Sequence, residues 1–321
     1  MKTNLDMLVL IPVGPKYHWD YVKDTIDSIR YFVDAAVYKI LLVNDTGDTN
    51  FHQNLTYDAQ LIIHDVTTAE RIDQCRTTFG QLFAKQVVAL IKLSQNYEWK
   101  CLLRLDDDAL LIGANPQSDA LEKFEKNPCI GMLGAYRVRG DGSNKEKAMA
   151  QKGRLLIRQI LSMRGRRGLA RSIYLAFSTF TAMQFGYRLG DMCTGGAFFM
   201  SGEACRDMIA TLDANIDLFC DCRLDDDLLF ALHVAAGGRI LEDFSKPDQI
   251  MAINWRGLPM PLEELVARCK KIVHPVREPD NATHELKVRQ FFSSLRTQLS
   301  PHRGEAGFVK TVAHKLVASD I

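Results

Sequence analysis

The stretch Leu102-Leu103-Arg104-Leu105-Asp106-Asp107-Asp108-Ala109-Leu110-Leu111 places three consecutive carboxylates between two apolar runs. The first run predicts a buried strand, and the acidic residues follow where that strand would end. Carboxylates in an apolar setting are costly unless a cation neutralises them, and Mg²⁺ or Mn²⁺ prefers such oxygen ligands. Side chains two residues apart in a strand point the same way, so Asp106 and Asp108 can converge on one ion. The alternative is a solvated acidic turn that begins the next helix.

Upstream of this stretch, short apolar runs alternate with patterns of helical spacing. We expect helices over 21–33 and 79–93, and strands over 8–13, 40–43, 61–63 and 101–105. This alternation is typical of an α/β fold with a mostly parallel central sheet flanked by helices. Ligands of such sheets bind at the carboxyl ends of the strands, which is where Asp45 and Asp106 to Asp108 are expected.

The downstream half of the chain is less regular. Strands are expected over 195–200 and 239–241, and helices over 202–212, 224–236, 261–271 and 284–299.

The composition is that of an ordinary globular protein, with 47% hydrophobic and 25% charged residues and a net charge of +1. That near-neutral charge does not favour nucleic acid as a partner. No apolar run is long enough to span a bilayer, and the short run at 8–13 reads as a strand, so we expect a cytoplasmic protein whose eight cysteines are reduced.

One segment has a one-sided charge. From Lys147 to Gly190 the sequence has nine Lys or Arg residues and no Asp or Glu, and apolar residues are interleaved with the basic ones. This pattern predicts a helical insertion over 145–190. It is typical of an amphipathic surface that meets anionic lipid, which would make the protein peripheral at the inner face of the membrane. It also fits a grip on an anionic or lipid-linked acceptor, or a basic face exposed to solvent.

Several blocks between about residues 7 and 275 resemble the GT-A glycosyltransferases, in particular family 2 and the fringe-like and β-1,3-galactosyltransferase-like enzymes. Asp106-Asp107-Asp108 resembles their D-x-D motif. The loop Ile11-Pro12-Val13-Gly14 resembles their first nucleotide-contacting loop, and Asp45 lies where an Asp usually faces the base. Cys193-Thr194-Gly195-Gly196-Ala197 is similar to their acceptor-side block, Leu224-Asp225-Asp226-Asp227-Leu228 to the motif of the catalytic base, and Val273-His274-Pro275 to a late metal-binding His.

The resemblance implies a GT-A domain over 1–275 with a helical extension over 276–321. It implies a metal-dependent, inverting transfer of a sugar from a nucleotide-sugar, UDP-linked, to a glycan or lipid-linked acceptor. The metal, Mn²⁺ or Mg²⁺, would be held by Asp108 and His274, and Asp226 would be the base, with its two neighbours as alternatives. The remaining residues would bind donor (Pro12, Val13, Gly14, Asp45, Asp106, Asp107) or acceptor (Gly195, Gly196, Asp225).

Two other functions remain open at this point. A sugar nucleotidyltransferase would use a metal and a similar sheet, but its first loop would be rich in glycine and basic residues. Here that loop reads Pro12-Val13-Gly14-Pro15-Lys16 and has one glycine. A non-catalytic sugar-binding protein on a transferase scaffold is the second alternative, and the presence of both acidic clusters argues against it.

Overall fold

A computed structural model of the chain describes residues 2–34, 36–48, 50–54, 59–66, 79–277 and 282–298. A seven-stranded sheet has the order β3-β2-β1-β4-β7-β6-β8. Its strands are β1 Thr3–Val13, β2 Tyr38–Asn44, β3 Leu61–Asp65, β4 Tyr97–Leu105, β6 Ile130–Gly134, β7 Ala197–Ser201 and β8 Ile240–Asp243. Only β7 runs against its neighbours, so four of the six neighbouring pairs are parallel. The predicted α/β class with a mostly parallel sheet is confirmed.

Helices cover both faces of this sheet. They are α1 Trp19–Phe32, α2 Phe79–Ser94, α3 Pro116–Lys126, α6 Gly202–Leu212 and α7 Asp226–Ala236. Both faces are buried, so the inner part of a central strand such as β1 is a continuous apolar run and not an alternating one. In β1, Met7, Val9 and Ile11 pack into one apolar cluster, whereas Leu8 and Leu10 pack into the other.

A second, three-stranded sheet lies next to the carboxyl end of β4. It has the order β5-β10-β9, with β5 Leu110–Leu111, β9 Met251–Ile253 and β10 Ile272–His274. Val273 of β10 pairs antiparallel with Leu110, and Val276 N donates a hydrogen bond to Asp108 O at 3.0 Å. The register therefore brings His274, at the end of β10, beside the acidic loop that follows β4.

The basic insertion forms two helices, α4 Glu146–Ile160 and α5 Gly165–Gln184, which pack on each other. The short helix α8 Leu262–Ala267 precedes β10, and α9 Ala282–Gln298 packs on α1. Arg289 of α9 donates to the backbone oxygen of Asp107 at 2.9 Å and ion-pairs with Asp24 at 3.1 Å, so α9 supports the acidic loop. Residues 278–281 and 299–321 of the predicted C-terminal extension lie outside the described residues.

The structure bears on two expectations, one about membrane-spanning helices and one about the oxidation state of the cysteines. Among the described helices, none has the length and hydropathy to cross a bilayer. Cys220 is in a disulfide, so the expectation that every cysteine is reduced is wrong for this residue. The remaining described cysteines are free thiols, and four of these six are buried.

Candidate active site

The acidic loop and β10 form a three-residue cluster. Asp106 and Asp108 follow β4 directly, and His274 Nε2 lies 3.1 Å from Asp108 Oδ1 and 3.6 Å from Asp106 Oδ2. One ligand atom from each of the three residues lies within 4.8 Å of the other two. Two carboxylates and an imidazole at these separations can hold a divalent metal ion.

The environment of His274 fits a metal ligand. Its Nδ1 lies 3.2 Å from Asn254 O. An Nδ1–H that donates to this carbonyl leaves the Nε2 lone pair facing the carboxylates, as in metal sites where the second ring nitrogen fixes the tautomer. Gly196 makes room for the ring: its φ is +99°, and a Cβ there would lie 2.0 Å from His274 Nδ1. The glycine that the sequence places on the acceptor side thus packs against His274.

The cluster has an uneven charge distribution. Burial opposes ionisation of Asp108, but His274 and Arg277 outweigh it and lower the pKa of this carboxyl to about 2. Burial and the negative charge of Asp108 raise the pKa of Asp107 to about 7. Burial lowers the pKa of His274, but Asp108 outweighs it and the net shift is upward. Arg277 Nη2 lies 3.2 Å from Asp108 Oδ2, which leaves a cation facing the same corner.

A buried arginine joins this cluster to the second acidic motif. Arg104 Nη1 lies 2.6 Å from Asp106 Oδ1, and its Nη2 lies 2.8 Å from Asp226 Oδ2. Gln86 Nε2 donates to the same Asp226 oxygen at 3.0 Å. Burial opposes ionisation of Asp226, but Arg104 and hydrogen bonds from Asp227 and Gln86 outweigh it, so its pKa is lowered. Asp226 is therefore held as a carboxylate, within a network that includes Asp106 of the three-residue cluster.

The neighbours of Asp226 have different environments. Asp227 Oδ2 accepts a hydrogen bond from Gly195 N at 2.8 Å. Burial and the adjacent charge of Asp226 raise the pKa of Asp227 to about 7. Asp225, the N-cap of α7, ion-pairs with Lys152 of α4. Asp226 is thus held ionised, Asp227 has a raised pKa, and Asp225 is paired with a lysine.

A cavity of about 500 Å³ contains both acidic motifs. Most of the residues predicted for the site line it: Pro12, Gly14, Asp106, Asp107, Asp108, Gly195, Asp225, Asp226 and His274. Three other predicted residues do not line the cavity. Val13 is buried in the core, Gly196 packs against the His274 ring, and Asp45 ion-pairs with Lys85 of α2.

The cavity also has residues that the sequence analysis missed. They are Arg104, Arg139, Lys145, Lys152 and Arg277, together with Leu82, Ala148, Met192 and Thr194. Asp227, one of the two alternatives expected for the base, and Trp255 also line the cavity. Arg104 could have been found, because a charged residue within an apolar strand needs a buried partner and acids follow it two residues later. Lys152 and Trp255 lie far apart in sequence, and only the fold brings the Lys152 ammonium 5.6 Å from the Trp255 ring.

Comparison with known proteins gives distant likenesses only. No protein-family model matches the chain, and no curated protein matches it. The chain is similar to a crystal structure of the galactosyltransferase LgtC in complex with donor and acceptor sugar analogs, with a TM-score of 0.46 and 11% identity over 94% of this chain and 98% of that one. It is also similar to mouse xyloside xylosyltransferase 1 in its apo form, with a TM-score of 0.36 and 11% identity over 75% of this chain and 85% of that one. The functional assignment therefore rests on the residues and geometry of the cavity.

Proposed function

We propose that this protein is a metal-dependent glycosyltransferase of the GT-A type. It would move a hexose from a nucleotide-sugar, with UDP as the nucleotide, to a hydroxyl group of a glycan or lipid-linked acceptor, with inversion at the anomeric carbon. One observation carries the proposal: a cluster that can bind a metal faces a second carboxylate motif across a single cavity. Sugar transfer needs both parts, one for the departing diphosphate and one for the attacking hydroxyl.

The Asp106-Asp108-His274 cluster is the proposed metal site, with Mn²⁺ or Mg²⁺ as the ion. Two carboxylates and one imidazole suit these hard cations, which usually keep substrate phosphates in their coordination shell. When bound, the ion would supply Lewis-acid stabilisation of the departing diphosphate. Arg277 lies at the same corner and lines the cavity, so its guanidinium is placed to meet a phosphate oxygen.

The donor is proposed to lie between this corner and the carboxyl end of β1. Pro12 and Gly14 line the cavity on that side, and a Cβ on Gly14 would meet no atom within 4 Å, so the loop is open to a ligand. Asp106 and Asp107 are proposed to contact the sugar or ribose. Asp45 is proposed to contact the base, which would lie beside the Asp45–Lys85 ion pair at the end of β2.

The base is proposed to be the Asp226–Asp227 carboxylate pair. Asp226, which the family motif selects, is kept ionised by Arg104 and Gln86. Asp227 is hydrogen-bonded to it and has the higher proton affinity, with a pKa raised to about 7. A base works best when its pKa is near the working pH. A proton from the acceptor hydroxyl would thus be taken by the pair, with Asp226 holding the negative charge in place.

The acceptor is proposed to enter past α4. Gly195, Asp225, Lys152 and Trp255 line the cavity on that side, and Trp255 is 54% exposed. An exposed aromatic ring at the mouth of a polar cavity offers a stacking surface to a sugar. Lys152 holds Asp225 in place, so Asp225 is proposed to accept a hydrogen bond from the acceptor and not its proton.

The decisive experiment incubates the protein with a panel of nucleotide-sugars and Mn²⁺ and measures release of the free nucleotide. We expect turnover with one UDP-sugar. Asp108→Asn should lose metal-dependent donor binding, and Asp226→Asn should bind donor but lose turnover. Asp20→Asn is the matched control, because Asp20 lies exposed in the first turn of α1, away from the cavity. Incorporation of nucleoside triphosphate would instead indicate a nucleotidyltransferase, and full turnover by Asp226→Asn would refute the base assignment.

A further inference from the structure

The helix α5 presents an apolar stripe to solvent. Five large apolar side chains recur at spacings of three or four residues and are 45% to 71% exposed: Leu169, Ile173, Phe177, Phe180 and Met183. The opposite face of the helix packs on α4 and α7 and is the more polar of the two, since it buries Ser172, Ser178 and Thr179. A helix whose solvent face is more apolar than its buried face has an unpartnered surface.

The stripe belongs to a larger patch. We call residues 146–185 the basic hairpin; it comprises α4, α5, their connection and Phe185. Ten of the fourteen exposed large apolar residues in the described part of the chain lie within it. Those outside α5 are Leu155, Ile157, Leu161, Met163 and Phe185. Concentration in about forty residues of a 321-residue chain separates this patch from the scattered apolar residues that every protein surface has.

Beside the patch lies a cavity of about 790 Å³ whose charged lining is almost entirely arginine. Its basic residues are Arg158, Arg164, Arg167, Arg171 and Arg223, and its single acid is Asp221, which lies 3.7 Å from Arg167. Arg171 is only 6% exposed, and its Nε has no hydrogen-bond partner among the described residues. A buried guanidinium whose Nε lacks a partner, in a cavity lined by further arginines, indicates a site for an anion, and phosphate oxygens suit it best.

We propose that the basic hairpin docks on the surface of a bilayer that contains anionic phospholipids. The apolar side chains of α5 and of the α4–α5 connection enter the boundary between headgroups and acyl chains, and the arginine cavity receives a phosphate headgroup. Charge complementarity selects this occupant. A second copy of the hairpin would set arginines against arginines, whereas an anionic bilayer offers phosphates beside an apolar layer.

Docking of the basic hairpin would also position the cavity that contains the two acidic motifs, which we call the carboxylate cavity. The same helix α4 carries Ala148 and Lys152 into the carboxylate cavity and Leu155 and Arg158 into the arginine cavity. A hairpin seated on a bilayer therefore holds the mouth of the carboxylate cavity near the headgroups. This consequence rests on the proposed function and favours a lipid-linked acceptor over a soluble one, but the docking itself stands without any transfer activity.

The test is co-sedimentation of the full chain with vesicles of phosphatidylcholine alone and of phosphatidylcholine mixed with phosphatidylglycerol. We expect binding to the mixed vesicles that weakens as salt is raised, and little binding to the neutral ones. Phe177→Ser and Phe180→Ser should each weaken binding about tenfold, because each removes a large exposed apolar side chain that docking would bury in the bilayer. Arg164→Gln and Arg167→Gln should each weaken it about fivefold.

Matched control variants distinguish binding by the basic hairpin from nonspecific binding by exposed apolar or basic residues elsewhere. Val37→Ser removes an exposed apolar side chain far from the hairpin, and Arg268→Gln removes an exposed arginine of the α8 end; both should bind like the parent. All variants alter exposed residues, so thermal unfolding should match the parent. Glycerol phosphate should compete weakly, since it fills the cavity without the apolar contact, and full competition by it would assign the cavity to a soluble phosphate and overturn the proposal. Equal binding to both vesicles, or self-association through the hairpin without vesicle binding, would also overturn it.

Discussion

Replacing Gly196 by alanine tests whether this glycine supports the proposed metal site at Asp106, Asp108 and His274. Gly196 has a φ of +99°, and its added Cβ would lie 2.0 Å from His274 Nδ1 and 2.2 Å from Cγ. The backbone cannot easily move away, because Asp106 N donates to Gly196 O at 2.8 Å. The imidazole must therefore shift, and with it the ligand atom that faces Asp108.

The magnitude has two parts. An alanine at this positive φ costs about 1–2 kcal/mol in the folded state. Overpacking against a buried ring adds about 1–3 kcal/mol, so the free energy of unfolding should fall by about 2–5 kcal/mol. Displacement of His274 should weaken Mn²⁺ binding about 10–100-fold, the range found when the support of a metal ligand is lost. Urea denaturation measures the first quantity, and calorimetric titration with Mn²⁺ measures the second.

Gly186→Ala is the matched control for backbone strain. Gly186 has a φ of +89°, and a Cβ there meets nothing within 4 Å. This variant should lose only the strain contribution, about 1–2 kcal/mol, and keep the Mn²⁺ affinity of the parent. If Gly196→Ala behaves like Gly186→Ala in both measurements, His274 is not held by this glycine and the reasoning is refuted.

Three further variants or conditions follow from the same network. Arg104→Met leaves the buried Asp226 without its cation and removes one of the two cations beside the half-buried Asp106, so the free energy of unfolding should fall by about 3–5 kcal/mol in urea denaturation, against little change for the exposed Arg206→Met. The rate of transfer should decline as pH falls below about 7, because the raised pKa of Asp227 means that its base form is lost there; Asp227→Asn should abolish this inflection, and an unchanged profile would contradict the assignment. Lys152→Met frees Asp225 and should raise the KM for the acceptor while the Kd for the donor stays constant. A change in donor affinity alone would contradict that acceptor-side role.

The sequence was informative where local pattern and topology agree. The strand before Asp106 was readable from its apolar run, and a parallel sheet gathers strand ends at one edge, so an acidic cluster at that edge followed directly. The short strands β5, β6, β9 and β10 were not predicted. Strands of two to five residues form because a partner edge is present, and that edge is supplied by distant parts of the chain.

The candidate site divides in the same way. Asp106 and Asp108 were expected from spacing, and His274 from a family resemblance, and the antiparallel pairing of β10 with β5 is what brings the three together. The role of Arg104 as a link between two acidic motifs depends on the packing of α7 against the sheet, which no local pattern encodes. The insertion was correctly predicted as helical and basic, but the exposed apolar face of α5 appears only once its buried face is known.

We propose that Asp106, Asp108 and His274 hold a divalent ion against the diphosphate of the donor. Anomalous diffraction from a crystal grown with Mn²⁺ and UDP is the decisive test of this proposal. We predict one strong manganese peak within coordination distance of carboxylate oxygens of Asp106 and Asp108, of His274 Nε2 and of a UDP phosphate oxygen. UDP bound in the cavity with no manganese at this corner, or manganese bound elsewhere, would contradict the account.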